Sequence, residues 1–322
     1  MNASKKGALG PVPHVYRPQR NAAPIISAPP LPAPPQWAMD WVGHATASST
    51  SGCWIRRSER FTLLSACIAD VEDMSGQNLE LVAGEAYRLL LGALQDGPHP
   101  HLVRIWNFIP RILDSVGAGV DRYMCFNAGR HRAFVEFFEG EMSFDRSLPA
   151  ASAVGHTGSD LVIHALATAQ PGNAIANPRQ LAPHRYSSRF GPRPPCFARA
   201  TLLDSFNNSR ALLIGGTASI RGEESVHVGQ LGAQLAETKD NLIALLAAAS
   251  GQAASCQLLN QLDQLRVYYP RAGDLPEIRR AIEKWFTHPN RVEWRLADLC
   301  RRDLLVEIEG RAVLPNSPVI AP

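Results

Sequence analysis

With 322 residues, 45% of them hydrophobic, the chain has enough apolar material for one large domain or two ordinary ones. Its 32 basic and 29 acidic residues leave a formal charge of +3, so no global field calls for nucleic acid or an anionic membrane. The six cysteines (Cys53, Cys67, Cys125, Cys196, Cys256 and Cys300) form no CxxC pair and no zinc-type spacing with histidine, and no apolar run reaches spanning length. Reduced thiols in a soluble, cytoplasmic protein without metal are expected.

Residues 1–55 form a Pro/Ala-rich arm, with PLPAPP near its middle, that should be extended or partly disordered. Trp37 and Trp41 are the exception and predict that the end of the arm packs on the body.

Beyond the arm, one order of elements is read twice, in a first unit at 56–170 and a second at 201–322. Ser58–Met74 parallels Ser209–Ser225: an apolar strand, a small-residue segment, then a polar turn. An amphipathic helix follows, at Leu79–Leu94 and at Leu231–Leu246, where Leu231, Leu235, Leu242 and Leu246 have helical spacing. Next come strands rich in β-branched and aromatic residues that end in proline, Leu102–Pro110 and Gln264–Pro270. A second helix ends in aromatics in each unit, AFVEFF and IEKWF, and the closing strands are DLVIHALA and DLLVEIEG. The predicted fold is α+β: two mixed sheets, each covered on one face by two helices, with the other faces meeting between the units. Aligning the closing strands places His164 opposite Glu307, and nothing in the first unit parallels Cys300.

Between the units, residues 171–200 form an Arg/aromatic linker. Arg179, Arg185, Arg189, Arg193 and Arg199 stand among Tyr186, Phe190 and Phe197 without an acidic residue from Asn177 to Ala200. Guanidinium forks bind carboxylates and phosphates in bidentate fashion, and the rings can shape the apolar part of a ligand site. A solvated basic linker is the plainer alternative.

Four segments carry a resemblance: RIWNFIP, RYMCFNAGRHRAF, NPRQ followed by RFGPRPPCFARA, and GGTASIRGEES. With them, the chain from about Arg56 onward resembles the chorismatases, which fuse two units like the RidA/YjgF (chorismate mutase-like) proteins. The resemblance implies cleavage of the enolpyruvyl ether of chorismate, with Glu307 giving a proton to the methylene carbon of that group.

It also implies substrate contacts from Arg122, Tyr123, Arg179, Tyr186 and Arg199, since a dianion in a partly dry site needs paired donors. Thr217 is a further candidate, although hydroxyls in a GTAS turn more often satisfy the backbone. Cys300 and Gly216 match the positions that distinguish members giving a hydroxybenzoate, Gly216 leaving room for the ring so that its own hydroxyl displaces the ether. The implied products are pyruvate and 3-hydroxybenzoate, with 4-hydroxybenzoate as a possible companion, and no cofactor or metal is needed. Competing readings are a hydrolytic chorismatase that makes a dihydroxycyclohexadiene carboxylate, and a RidA-like binder of small acids or imine deaminase. A nucleic-acid partner and a membrane are not expected, and two fused units predict a monomer or weak homo-oligomer.

By alternation along the last strand, Glu307 and Glu309 share one face, and Val306 and Ile308 the other. If Glu307 is an acid, its face is the one between the units, where burial raises its pKa while nearby arginines oppose the rise.

Overall fold

A computed structural model describes residues 29–316, apart from 44–47, 51, 96 and 207. Along the first half the elements are α1 (Gln36–Val42), β1 (Ser48–Thr50), β2 (Cys53–Arg57), β3 (Phe61–Ile68), α2 (Gly76–Gln95), β4 (His101–Pro110), β5 (Ser115–Gly117) and β6 (Val120–Asp121). There follow α3 (Arg122–Phe137), α4 (Phe144–Ser147), β7 (Ala150–His156) and β8 (Leu161–Thr168). The second half runs β9 (Asn173–Ile175), β10 (Ala200–Phe206), β11 (Ser209–Ala218), β12 (Ile220–Arg221), β13 (Glu224–Ser225), α5 (Leu231–Ser250), β14 (Leu262–Tyr269), α6 (Leu275–Glu283), β15 (Val292–Leu296) and β16 (Glu307–Leu314).

Two six-stranded sheets result, in the orders β1-β2-β3-β8-β4-β7 and β15-β14-β16-β11-β10-β9. The same construction recurs in both: a strand, a long helix, a strand, a helix, a strand parallel to the one before, and a last antiparallel strand inserted in the middle. The fold is thus α+β, with two units of one construction in tandem.

Helical spacing explains the outer layers. On α2, Leu79, Val82, Ala83, Ala86, Tyr87, Leu90, Leu91 and Leu94 are buried against the first sheet, and on α5 the four spaced leucines are buried against the second. Asp121 caps α3, its carboxylate accepting from the Met124 amide at 2.8 Å.

The inner sheet faces meet. Leu63, Val103, Trp106, Phe108, Val162 and Leu166 of the first sheet share one apolar cluster with Leu203, Leu213, Ala218 and Tyr268 of the second. A sheet apolar on both faces needs two cover layers, and here each sheet supplies one for the other.

Two expectations change. The arm expected at 1–55 holds more structure than its composition suggests: Gln36–Val42 is helical, and β1 and β2 extend the first sheet, so a boundary at residue 56 falls inside a strand. The arm's residues 1–28 lie outside the described part. Of DLLVEIEG, only the portion from Glu307 onward is strand; 303–306 belong to the approach. Cys300 sits in that approach, the loop between β15 and β16.

Candidate functional site

One cavity of ≈ 270 Å³ opens between the units, close to the low end of the ~300–1,000 Å³ usual for small-molecule sites. Its walls come from β7 (Ala151, Ser152, Ala153), the first turns of α3 (Tyr123, Met124, Arg130), the linker (Tyr186, Phe190, Phe197, Arg199), and the second sheet with its closing loop (Gly216, Cys300, Arg301, Glu307).

β16 is a central strand, and the ladder fixes Glu307 on both sides, opposite Ala218 of β11 and Tyr268 of β14. Alternation then decides the faces. Val306 and Ile308 join the core under α5, while Glu307 and Glu309 point between the sheets with 4% and 1% of their surface exposed. Their surroundings differ sharply. Glu309 accepts from Arg104 Nη2 at 2.6 Å, Trp106 Nε1 at 3.1 Å, Tyr268 OH at 3.2 Å and Ser152 Oγ. The carboxyl of Glu307 has no hydrogen-bond donor among the described residues and lies on the cavity wall. Burial, followed by the charge of Glu309, pushes it up to about 8, against the pull of Arg104, Arg199 and Arg301. Near neutral pH it is chiefly the neutral acid.

Beside it, β11 carries a bulge: Ile214 pairs with Gly310 and Thr217 with Ile308, so Gly215 and Gly216 together face Glu309 alone. Both glycines answer a close approach. A Cβ on Gly215 would lie 2.7 Å from the Ala151 carbonyl oxygen of β7. One on Gly216 would lie 2.7 Å from Cδ of Glu307. The room at Gly216 is thus taken first by the carboxyl of the acid. Thr217 does not line the cavity; its hydroxyl donates to the Gly215 carbonyl at 3.0 Å and secures the bulge.

The arginines are the main correction. Arg122 is buried with its fork spent on backbone: Nε donates to Pro110 O at 3.0 Å, Nη1 to Met74 O at 2.9 Å and Nη2 to Val71 O at 2.6 Å. It ties the end of β4 to the loop before α2. Arg179 is held by Glu237 at 2.6 Å and Asn241 at 2.8 Å, which fastens the linker to α5. Neither lines the cavity.

Arg130, Arg199 and Arg301 stand there instead. Arg199 donates to Tyr186 OH at 2.5 Å and Leu181 O at 3.1 Å, and Arg130 to Asn127 Oδ1 at 2.7 Å. Phe197 lies under both, 5.4 Å from Cζ of Arg199 and 5.8 Å from that of Arg130. The Nε of each is buried without a hydrogen-bond partner among the described residues. Arg301 packs at 4.0 Å over Phe190 and donates to Glu223 O at 2.7 Å. Of the remaining sequence candidates, Tyr123, Tyr186, Cys300 and Gly216 all border the cavity.

Arg130 escaped the reading of the sequence although it lies in RYMCFNAGRHRAF. It is seven positions after Tyr123 on one helix, so the two share a face, and that spacing was the available signal. For Ser152 and Arg301 there was none, because β7 and the 297–306 loop are brought to the site by tertiary packing. Cys300 is partly buried on the wall; burial, then Glu307, pushes its thiol up to about 12, so it stays protonated.

The pseudo-equivalent place in the first unit is built differently. Counting back from Pro110 and Pro270, His164 (opposite Trp106) matches Glu309 (opposite Arg266), not Glu307 as the aligned closing strands suggest. His164 contacts Ser65 Oγ at 2.6 Å and Pro32 O at 2.7 Å, Arg266 donates to Ala33 O at 3.2 Å, and Trp37 packs edge-on against Trp106 with centroids 5.6 Å apart. On this side the arm's Pro32 and Ala33 line the gap between the units without filling it, and a second hollow of ≈ 580 Å³ remains there beside Phe108 and Tyr268.

Comparison with known proteins agrees with this architecture. Residues 37–167 match the family model described as chorismatase FkbO/Hyg5-like, N-terminal. A 3-hydroxybenzoate synthase of Streptomyces hygroscopicus is 34% identical over 233 residues, 70% of this chain and 67% of that protein. A chorismatase of the same organism is 34% identical over 66% of this chain and 61% of its own length, so the match leaves over a third of that relative unspanned. A crystal structure of a chorismatase superposes with a TM-score of 0.73 at 28% identity, covering 83% of this chain and 78% of that one. A doubled sheet fold, a cavity between its halves and this degree of identity together place the chain in the chorismatase family.

Proposed function

We propose that the protein cleaves chorismate to pyruvate and 3-hydroxybenzoate, and that Glu307 supplies the proton. The observation that carries this reading is a buried carboxyl without donors, protonated near neutral pH, on the wall of a cavity edged by guanidinium groups. Protonating the methylene of a vinyl ether requires an acid that still holds its proton at the working pH.

Arg130 and Arg199 take the two carboxylates in this account, each with a buried Nε to offer and an aromatic ring beneath. Tyr123 and Tyr186 shape the ring end of the site, and Arg301 completes the positive field near Glu307.

Proton transfer from Glu307 turns the methylene into a methyl group and leaves an oxocarbenium ion. The ring hydroxyl then attacks the carbon bearing the ether; that bond breaks, its electrons go to the ether oxygen, and pyruvate departs. The hydroxyl proton leaves as the oxygen bridges the two ring carbons; the oxygen's bond to its original carbon then breaks, the carbon that keeps it loses its hydrogen as a proton, and the oxygen takes up one proton, giving aromatic 3-hydroxybenzoate. Pyruvate and hydroxybenzoate together contain the atoms of chorismate, so no water is consumed, whereas the diol route takes up one. Cys300, as a neutral thiol, keeps water from the attacked ring carbon. The relative named as a 3-hydroxybenzoate synthase favours the aromatic product over the diol.

All six cysteines are free thiols, which suits a reducing cytoplasm, and no helix among the described residues is long and apolar enough to cross a membrane. Since the two sheets cover each other, a monomer or weak oligomer suffices. Incubation of the purified chain with chorismate tests the reading: pyruvate with 3-hydroxybenzoate supports it, pyruvate with a dihydrodiol supports the hydrolytic alternative, and absence of pyruvate removes both.

A further inference from the structure

Behind the cavity lies a fully buried ion pair that the reaction itself does not use. Arg104 and Glu309 meet at 2.6 Å with about 1% of either side chain exposed, and three further donors, from Ser152, Trp106 and Tyr268, converge on the same carboxylate. Buried pairs of this kind seldom add net stability, since desolvation offsets the attraction. Four donors from three strands of two sheets, β4, β7 and β14, are more than is needed to hold two units together.

Its position suggests its use. Glu309 is two residues from Glu307 on the same face of β16, one strand repeat away, and Ser152 both binds Glu309 and borders the cavity. Facing Glu307 are three cations, Arg104 from β4, Arg199 from the linker and Arg301 from the closing loop, along with the titratable side chains of Cys300 and Tyr123. Three guanidiniums alone would favour an ionised Glu307, and an ionised Glu307 cannot protonate carbon.

We infer that Glu309 is a positioning residue for Glu307: its charge, locked in place by Arg104, Ser152, Trp106 and Tyr268, adds to the effect of burial by offsetting the surrounding cations, so that the neighbouring carboxyl can serve as the proton donor. The hydrogen-bonded cage fixes the Glu309 carboxylate one strand repeat from Glu307, so the two cannot move apart.

The inference rests on Glu307 being the acid, so the test uses a readout that turnover does not enter. Isotope-edited infrared spectra, with the Glu307→Gln variant as the subtraction reference, follow the protonated carboxyl of Glu307 as pH is raised. Glu309→Gln, which removes the charge and leaves Arg104 uncompensated, is expected to move the midpoint down by one pH unit or more. Glu309→Asp keeps the charge and should stay within half a unit of the parent. Equal displacement by both variants, or an unmoved midpoint in folded Glu309→Gln protein, overturns the inference. Should Glu309→Gln fail to fold, Tyr268→Phe serves: it takes one donor from Glu309 without touching the cavity, and the midpoint should rise, while a fall or no change counts against the inference. If the parent protein releases no pyruvate, the chemical reading fails, yet the titration still reports on the pair.

Discussion

Gly216 and Glu307 occupy adjoining strands so closely that a methyl group on the first would lie 2.7 Å from the carboxyl carbon of the second. The missing side chain at residue 216 therefore decides where the acid can stand.

Gly216→Ala should for that reason act on rate before it acts on product choice. Its Cβ drives the carboxyl of Glu307 off the cavity wall, and a displaced general acid forfeits much of the ~10²–10⁴-fold that such groups contribute. Steady-state assay of pyruvate release should show kcat down by at least ~10-fold with KM little altered. A variant of normal kcat with more diol would instead return Gly216 to the role of making space for the ring.

Burial of Glu307 also has a stability consequence. Its folded pKa of about 8 lies above its ordinary value of 4.5, so the native state binds the extra proton between those limits. Stability falls as pH rises through that window, with a loss on the order of 4 kcal/mol once pH reaches 8. Glu307→Gln carries no such proton and should melt higher than the parent, by a wider margin at pH 8 than at pH 5; equal margins at both values would show that Glu307 titrates normally.

The arginines divide into two groups by what they touch. Arg199→Met and Arg130→Met should raise KM for chorismate by ~10–100-fold, the cost of a charge-assisted contact of about 1.5–3 kcal/mol. Arg122→Met and Arg179→Met should lower the melting temperature with KM within ~3-fold of the parent, because their forks serve backbone carbonyls, Asn241 and Glu237. Kinetics and thermal melts on the four variants separate the groups, and a KM effect confined to Arg122 and Arg179 would reverse the assignment.

Cys300→Ala leaves space beside the ring without disturbing Glu307. Product analysis should show the diol share rising several-fold while total pyruvate release falls less than ~10-fold. An unchanged ratio would make the thiol a packing group.

Much of this was legible in the sequence because it obeys short periods. The spaced leucines of α5, the β-branched strands that end in proline, and the alternation that sends Glu307 and Glu309 inward all follow from local geometry. Of the Arg/aromatic linker, Tyr186, Phe190, Phe197 and Arg199 all reach the cavity.

Which guanidinium lines the cavity was not legible. A fork at Arg122 or Arg179 reads the same in sequence as one at Arg130 or Arg199, and only the fold reveals that the first two already face carbonyls or side-chain acceptors. Register failed for a similar reason. DLVIHALA and DLLVEIEG align by letters, but the second segment enters its strand only at Glu307, so His164 falls opposite Glu309 in the architecture. Composition likewise hid β1 and β2, whose place at the edge of a sheet comes from β2 pairing with β3 and β1 with β2, and not from their own sequence.

The most direct measurement is pyruvate release from chorismate by the parent chain and by Glu307→Gln, compared at the same pH on protein shown to be folded. The parent should release pyruvate together with 3-hydroxybenzoate, and the variant should be slower by ~10²–10⁴-fold. A folded Glu307→Gln protein that works within tenfold of the parent would contradict the assignment of Glu307 as the proton donor.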